Sequence, residues 1–175
     1  MIMRLSGILT TRLIRRSVTA SIVCAVGLLM ALARSNAASC GSDDAMTFEN
    51  WRDRTEVTDG FVISEGHSNS WVRIYVDDLA KDIYLAGSAP YPECAQIIKS
   101  AYHDADGSSF RGLTVMVKMP TGYDPENADW WYGKYDESGT RMKRQGKLRD
   151  CIACHKQASD TDYLFSREVL GINQE

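Results

Sequence analysis

The sequence predicts an α+β domain: a mainly antiparallel β-sheet with short helices, closed by a further helix near the C-terminus. Three observations lead there. Four segments in succession carry strand periodicity. The stretches with helical spacing are short and stop at glycine or turn residues. The one compact cluster of reactive side chains, "RDCIACHKQ" at residues 149–157, lies near the end of the chain on a segment that reads as one short helix.

The first 37 residues stand apart. Arg4, Arg12, Arg15 and Arg16 precede an apolar run from Val18 to Ala33, followed by Ser35-Asn36-Ala37. A basic lead, a short apolar run and a small-x-small site are the order of a secretory signal peptide, and the run is short for a bilayer span. Residues 1–37 are therefore read as a cleaved signal and residues 38–175 as one exported domain, placed in the periplasm. The segment removed holds five arginines and no acid, so the 20 basic residues fall to 15 against 23 acidic ones, a net charge of −8. Such a chain is a poor partner for nucleic acid or for an anionic membrane.

Along the mature chain, "TFENWRDR" at 47–54 has weak helical spacing. "WVRIYV" at 71–76 alternates Val72, Ile74 and Val76 against Trp71, Arg73 and Tyr75, which is strand period. "DDLAKDIYLAG" at 77–87 puts Leu79, Ile83 and Ala86 on one helical face and ends at Gly87. Three more strands follow: "AQIIKSAY" at 95–102, bounded by Pro92 and the turn "DADG"; "FRGLTVMVKM" at 110–119, ended by Pro120; and the aromatic "WWYGKYD" at 130–136, followed by "DESG". Trp130 and Trp131 read as sheet packing. Arg141, Lys143, Arg144, Lys147 and Arg149 read as a solvated basic face, with contact to the carboxylates of a bound cofactor or to an acidic partner as the functional alternative. Asp150 is placed to cap the last helix.

The cysteines carry the chemistry. Of five, Cys24 leaves with the signal, Cys151 and Cys154 belong to the terminal cluster, and Cys40 and Cys94 remain as a candidate pair in an oxidising compartment. Cys151-x-x-Cys154-His155 on an exported chain reads as the attachment site of one covalent haem c. Two intervening residues put both sulfurs on one side of a single turn, where each can add to a haem vinyl group. The adjacent His155 then lies under the iron as its proximal, metal-binding ligand. The competing readings are a redox disulfide, which expects a βαβ surround, and half of a zinc site, which needs two further ligands with matching spacing. Neither context is visible. No Met or His follows His155, so any sixth iron ligand comes from upstream: His67, His103, Met46, Met116, Met119 or Met142. Each is more readily a core or surface residue, His67 and His103 being read as surface histidines, and a five-coordinate iron with an open distal face is at least as well supported.

The succession "VRIYV", "YPECAQIIK", "GLTVMVKMPTGYDPENADWW" and "CIACHKQASDTDYLF" resembles the cytochrome P-460 family, with its cytochrome c-prime beta relatives, from Phe48 to Phe165. The resemblance implies an exported monohaem cytochrome of mainly antiparallel β fold, often a homodimer, with a redox partner protein and haem chemistry directed at hydroxylamine and nitric oxide. It also implies roles for two residues. Lys99 matches a lysine that cross-links to the haem edge in hydroxylamine-oxidising members. Thr114, after Gly112-Leu113, stands where those enzymes carry a distal glutamate. Oxidising hydroxylamine requires proton removal, which a carboxylate near the iron can assist and a threonine cannot at neutral pH. Cys94 replaces the family's usual glycine. Three functions follow: a haem oxidoreductase acting on hydroxylamine or nitric oxide, a cytochrome that binds nitric oxide without turnover, and, as the alternative, an electron carrier without substrate chemistry.

Overall fold

The computed structural model describes Cys40 and residues 46–172; the segment 1–37, read from the sequence as a signal, lies outside the described residues. Seven strands form one sheet: β1 (Thr55–Glu56), β2 (Val62–Ser64), β3 (Ser70–Val76), β4 (Gln96–Tyr102), β5 (Phe110–Lys118), β6 (Trp130–Tyr135) and β7 (Met142–Gly146). Their order is β1-β3-β4-β5-β6-β7, with β2 also on β3, and every pairing is antiparallel. The α+β expectation holds. The four expected strands are β3 to β6, hydrogen-bonded to one another in chain order. They lack the alternation of buried and wet faces typical of an exposed sheet because both faces are covered.

One face meets the N-terminal segment. Phe48 and Trp51 pack on Tyr75, Ile98, Val115, Trp131 and Tyr135. Polar bonds fix them there: the Trp51 indole N–H donates to Glu137 O (2.9 Å), and the Tyr135 hydroxyl donates to Met46 O (2.8 Å). Residues 47–54 do not form the expected helix; only Trp51–Asp53 makes a 3-10 turn, since Trp51 must lie against the sheet. Cys40 is joined to Cys94, with Cα atoms 4.9 Å apart across 54 residues. Closing a loop of that size stabilises by about 4 kcal/mol in the chain-entropy account. Cys94 sits at φ +70°, a backbone conformation that favours glycine, which accounts for the glycine usual there in the proteins it resembles.

The opposite face carries Val76, Ile97, Met116 and Tyr132, paired residue to residue across four strands. It is covered by α1 (Lys81–Leu85) and by the C-terminal segment, which holds α2 (Arg149–His155), a 3-10 stretch (Lys156–Thr161) and α3 (Ser166–Leu170). The helix expected over 77–87 shrinks to five residues, and its face differs from expectation. Leu79 is 49% exposed, whereas Ala80 and Tyr84 are buried. Asp77 turns the chain instead of joining the helix, accepting from the backbone N–H of Ala80 (3.0 Å) and Gln96 (3.1 Å). Asp150 does not cap α2. The cap position is Leu148, with no side-chain bond, and Asp150 is drawn to Arg144 (3.0 and 3.1 Å) and Lys134 (3.2 Å). The basic run is largely exposed as expected, but it also contains β7, an edge strand whose charges discourage further pairing.

Asp162 ties this layer to the sheet. Its carboxylate accepts from Lys118 Nζ (2.7 Å to each oxygen), from the Tyr91 N–H (2.9 Å) and from the Trp130 indole (3.3 Å). Both partners of the ion pair are largely buried, with side-chain exposures of 13% and 8%. Removing one partner of a buried pair strands the other charge, so Asp162→Ala should destabilise by roughly 3–5 kcal/mol in urea denaturation. Glu137→Ala breaks the exposed Arg52–Glu137 pair and should cost under about 1 kcal/mol. Equal losses for the two variants would contradict this account.

Candidate haem site

Between the sheet and the C-terminal layer lies a cleft of about 920 Å³, including its open mouth. Cys151, Cys154 and His155 reach it from α2, and Lys99, Thr114 and Lys134 reach it from the sheet. The strand register explains the second set. Ile74, Lys99, Thr114 and Lys134 are cross-strand partners in one row, and side chains in such a row share a face. Lys99 and Thr114, expected from the sequence to matter, are therefore directly opposite each other on the cleft wall.

The helix supplies the reactive trio. Cys151 and Cys154 are three residues apart, so their sulfurs share one helical face. Neither is in a disulfide, and both are partly buried. Burial pushes the Cys151 thiol above its ordinary pKa. The following residue, His155, is buried. Its Nδ1 lies 2.7 Å from the backbone carbonyl of Tyr163. A carbonyl only accepts, so Nδ1 carries the proton and Nε2 keeps its lone pair, the arrangement found in metal-ligating imidazoles. Burial lowers the His155 pKa to about 4, against an upward pull from that carbonyl and with a further downward push from Lys99. The ring is thus neutral at pH 7. Tyr132 and Phe165 flank it, with ring centres 5.6 Å away. The Tyr132 hydroxyl is buried and has no hydrogen-bond partner among the described residues. An orphaned donor, two free thiols on one face and a neutral imidazole with its Nε2 lone pair suit a haem.

Of the upstream ligand candidates, His67 and Met116 line the cleft. Met46 and Met119 are buried in the core of the opposite face, Met142 is exposed on β7, and His103 is exposed beyond β4. His67 is therefore not the surface histidine expected. The 3-10 turn Glu65–His67 folds it inward, where Nδ1 lies 3.0 Å from Ser64 Oγ and 3.3 Å from Lys99 Nζ. Burial, then the Lys99 charge, lowers its pKa to about 3. The same turn brings Gly66 against Cys154: a Cβ at position 66 would stand 3.5 Å from the sulfur. Two features escape sequence reading. The Tyr163 carbonyl is a backbone atom with no residue signature, and Tyr132 sits in an aromatic strand where nothing marks one ring from the next. In the basic run, Arg144 engages Asp150, and Lys147 lies over the Tyr123 ring.

Lys99 has an amine strongly perturbed by its place in the cleft. Burial lowers its pKa to about 8, with Cys154 pulling the other way. In the chain made without haem, Lys99 should titrate near pH 8, read by NMR of labelled lysine. The folded state then loses its proton first. Between about pH 8 and 10.5 the unfolded chain binds more protons, so fold stability should rise with pH across that window. Titration at the ordinary lysine value would contradict the burial argument.

The family model for cytochrome P460 matches residues 48–166. That span includes all seven strands, α2 and the Asp162–Phe165 segment behind His155. No curated protein matches the chain. The match covers well over half of the sequence and coincides with the structural unit that builds the cleft: the chain belongs to the cytochrome P460 family and is a haem protein.

Proposed function

We propose that this is an exported, periplasmic c-type cytochrome with one haem, held by thioethers to Cys151 and Cys154 and by His155 on the iron, and that it binds or reacts with hydroxylamine or nitric oxide on the side of the cleft facing the sheet. The observation that carries the reading is the His155 imidazole, neutral and tied through Nδ1 to Tyr163 O at 2.7 Å, beside two thiols on one helical face. When bound, haem would supply an iron centre able to ligate small nitrogen oxides and to exchange single electrons. The chain's own residues would do the rest. His155 Nε2 would bind the iron, the unpaired Tyr132 hydroxyl would be free to donate to the bound group, and the aromatic and aliphatic walls would exclude water.

Lys99 and Thr114 decide between turnover and binding. Burial increases the free-amine fraction of Lys99, the state in which a lysine could be held at a haem edge as in the cross-linked members of the family. Thr114 cannot act as a base near neutral pH. Hydroxylamine oxidation is therefore slow or absent, and nitric oxide binding is retained. A redox partner protein and a homodimeric state belong to the same proposal.

Intact-mass analysis of periplasmic protein should show one added haem, and Cys151→Ala or Cys154→Ala should each leave one thioether. Lys99→Ala should remove a third attachment from haem peptides. Nitric oxide should shift the optical spectrum, and Thr114→Glu should raise hydroxylamine turnover. Haem-free protein from cells with active cytochrome maturation would sink the reading, and rapid hydroxylamine oxidation by the unaltered chain would overturn the argument from Thr114.

A further inference from the structure

We propose that His67 is the iron's second axial ligand in the resting protein, opposite His155. The inference rests on the haem reading of the cleft and goes beyond it, since nothing in that reading assigns the sixth position.

Distance is the first support. The ring centres of His67 and His155 are 6.3 Å apart. Two imidazole nitrogens bound on opposite sides of one metal ion at about 2.0–2.1 Å each, plus roughly 1.1–1.2 Å from each nitrogen to its ring centre, place the centres about 6.2–6.6 Å apart. A distal imidazole that only hydrogen-bonds to an iron-bound ligand stands at least ~2 Å farther off, because the ligand atom and a hydrogen bond must fit between. The observed spacing agrees with direct ligation and is too short for the second arrangement.

The donor chemistry agrees. His155 has its Nδ1 committed to Tyr163 O, and His67 has its Nδ1 facing Ser64 Oγ at 3.0 Å. A hydroxyl accepts as readily as it donates. Nδ1–H of His67 can therefore donate to Ser64, or to Lys99 Nζ at 3.3 Å once that amine is unprotonated, leaving Nε2 with its lone pair as ligating imidazoles require; a charged Lys99 would hold the other tautomer. The ring planes are 74° apart, and two crossed rings can both stand upright on a porphyrin. Among the described residues no group of three or more His, Cys, Asp or Glu is placed to hold a metal ion. The pair thus makes no zinc site by itself, whereas a haem iron already brings four nitrogens and needs only two more. Met116 also lines the cleft, but its backbone is fixed within β5 between two neighbouring strands, while His67 ends a three-residue turn at the cleft wall. A nitrogen oxide would then reach the iron by displacing His67.

The test is optical and EPR spectroscopy of the purified ferric holoprotein, with His67→Ala, His67→Met and Met116→Leu variants. The expected result is a low-spin, six-coordinate resting spectrum that does not change with added imidazole. It becomes high-spin in His67→Ala, returns to low-spin on adding imidazole to that variant, and is unchanged in Met116→Leu. His67→Met, which keeps a ligand, should stay six-coordinate with a shifted spectrum if His67→Ala fails to mature. If the displaced state is populated at about a tenth or less, nitric oxide should bind His67→Ala at least about tenfold more tightly than the unaltered protein. A high-spin resting spectrum, or a low-spin spectrum that persists without His67, overturns the proposal. A His67-dependent low-spin spectrum with no response to nitric oxide in either protein upholds the ligand assignment and refutes the nitrogen-oxide reading.

Discussion

The buried carboxylate of Asp162 is the contact on which the cleft depends. It neutralises Lys118 from the end of β5, takes the Tyr91 N–H, and meets the Trp130 indole, which also donates to the Asp162 carbonyl at 2.8 Å. Those bonds hold Asp162 and Tyr163 at φ +53° and +70°, two successive left-handed residues that reverse the chain after the 3-10 stretch. The reversal aims the Tyr163 carbonyl at His155 Nδ1. Thr161 Oγ1 locks the same turn by donating to Leu164 O at 2.6 Å. The carboxylate thus acts on the imidazole through the turn, and the histidine is oriented by backbone that the sheet itself anchors.

The second constraint is register. Antiparallel pairing places Lys99 opposite both Ile74 and Thr114, and Thr114 opposite Lys134. A slip of one residue would send all of them to the other face, into the core formed by Phe48, Trp51 and Trp131. That opposite face therefore guards the cleft without lining it: its aromatic packing makes any slipped register bury Lys99 and Lys134 among indoles. The Cys40–Cys94 bond acts at the same place, securing the segment that leads into β4.

Much of this is legible in the sequence, and the exceptions have physical causes. Period-two runs locate β3 to β6 because branched and aromatic residues dominate them. Cys151, Cys154 and His155 are legible because their chemistry needs a fixed spacing. β7 is hidden, since an edge strand of Met, Lys, Arg and Gln has no buried face to impose a period. The short α1 is over-read because Leu79 resembles an apolar anchor, whereas Tyr84 fills that place. Asp150 has the chemistry of a cap, but Arg144 and Lys134, brought beside it by β6 and β7, compete for its carboxylate. His67 is one of three histidines in the chain, and only the fold distinguishes it from His103.

The central claim is that the Asp162–Tyr163 reversal presents His155 Nε2 to a haem iron in this cleft. Crystallography of the holoprotein with data at the iron absorption edge tests it most directly. The account predicts one iron site within bonding distance of His155 Nε2, with Nδ1 still hydrogen-bonded to the Tyr163 carbonyl and Asp162 still on Lys118. An iron site away from His155, or a Tyr163 carbonyl turned from the ring, would contradict it.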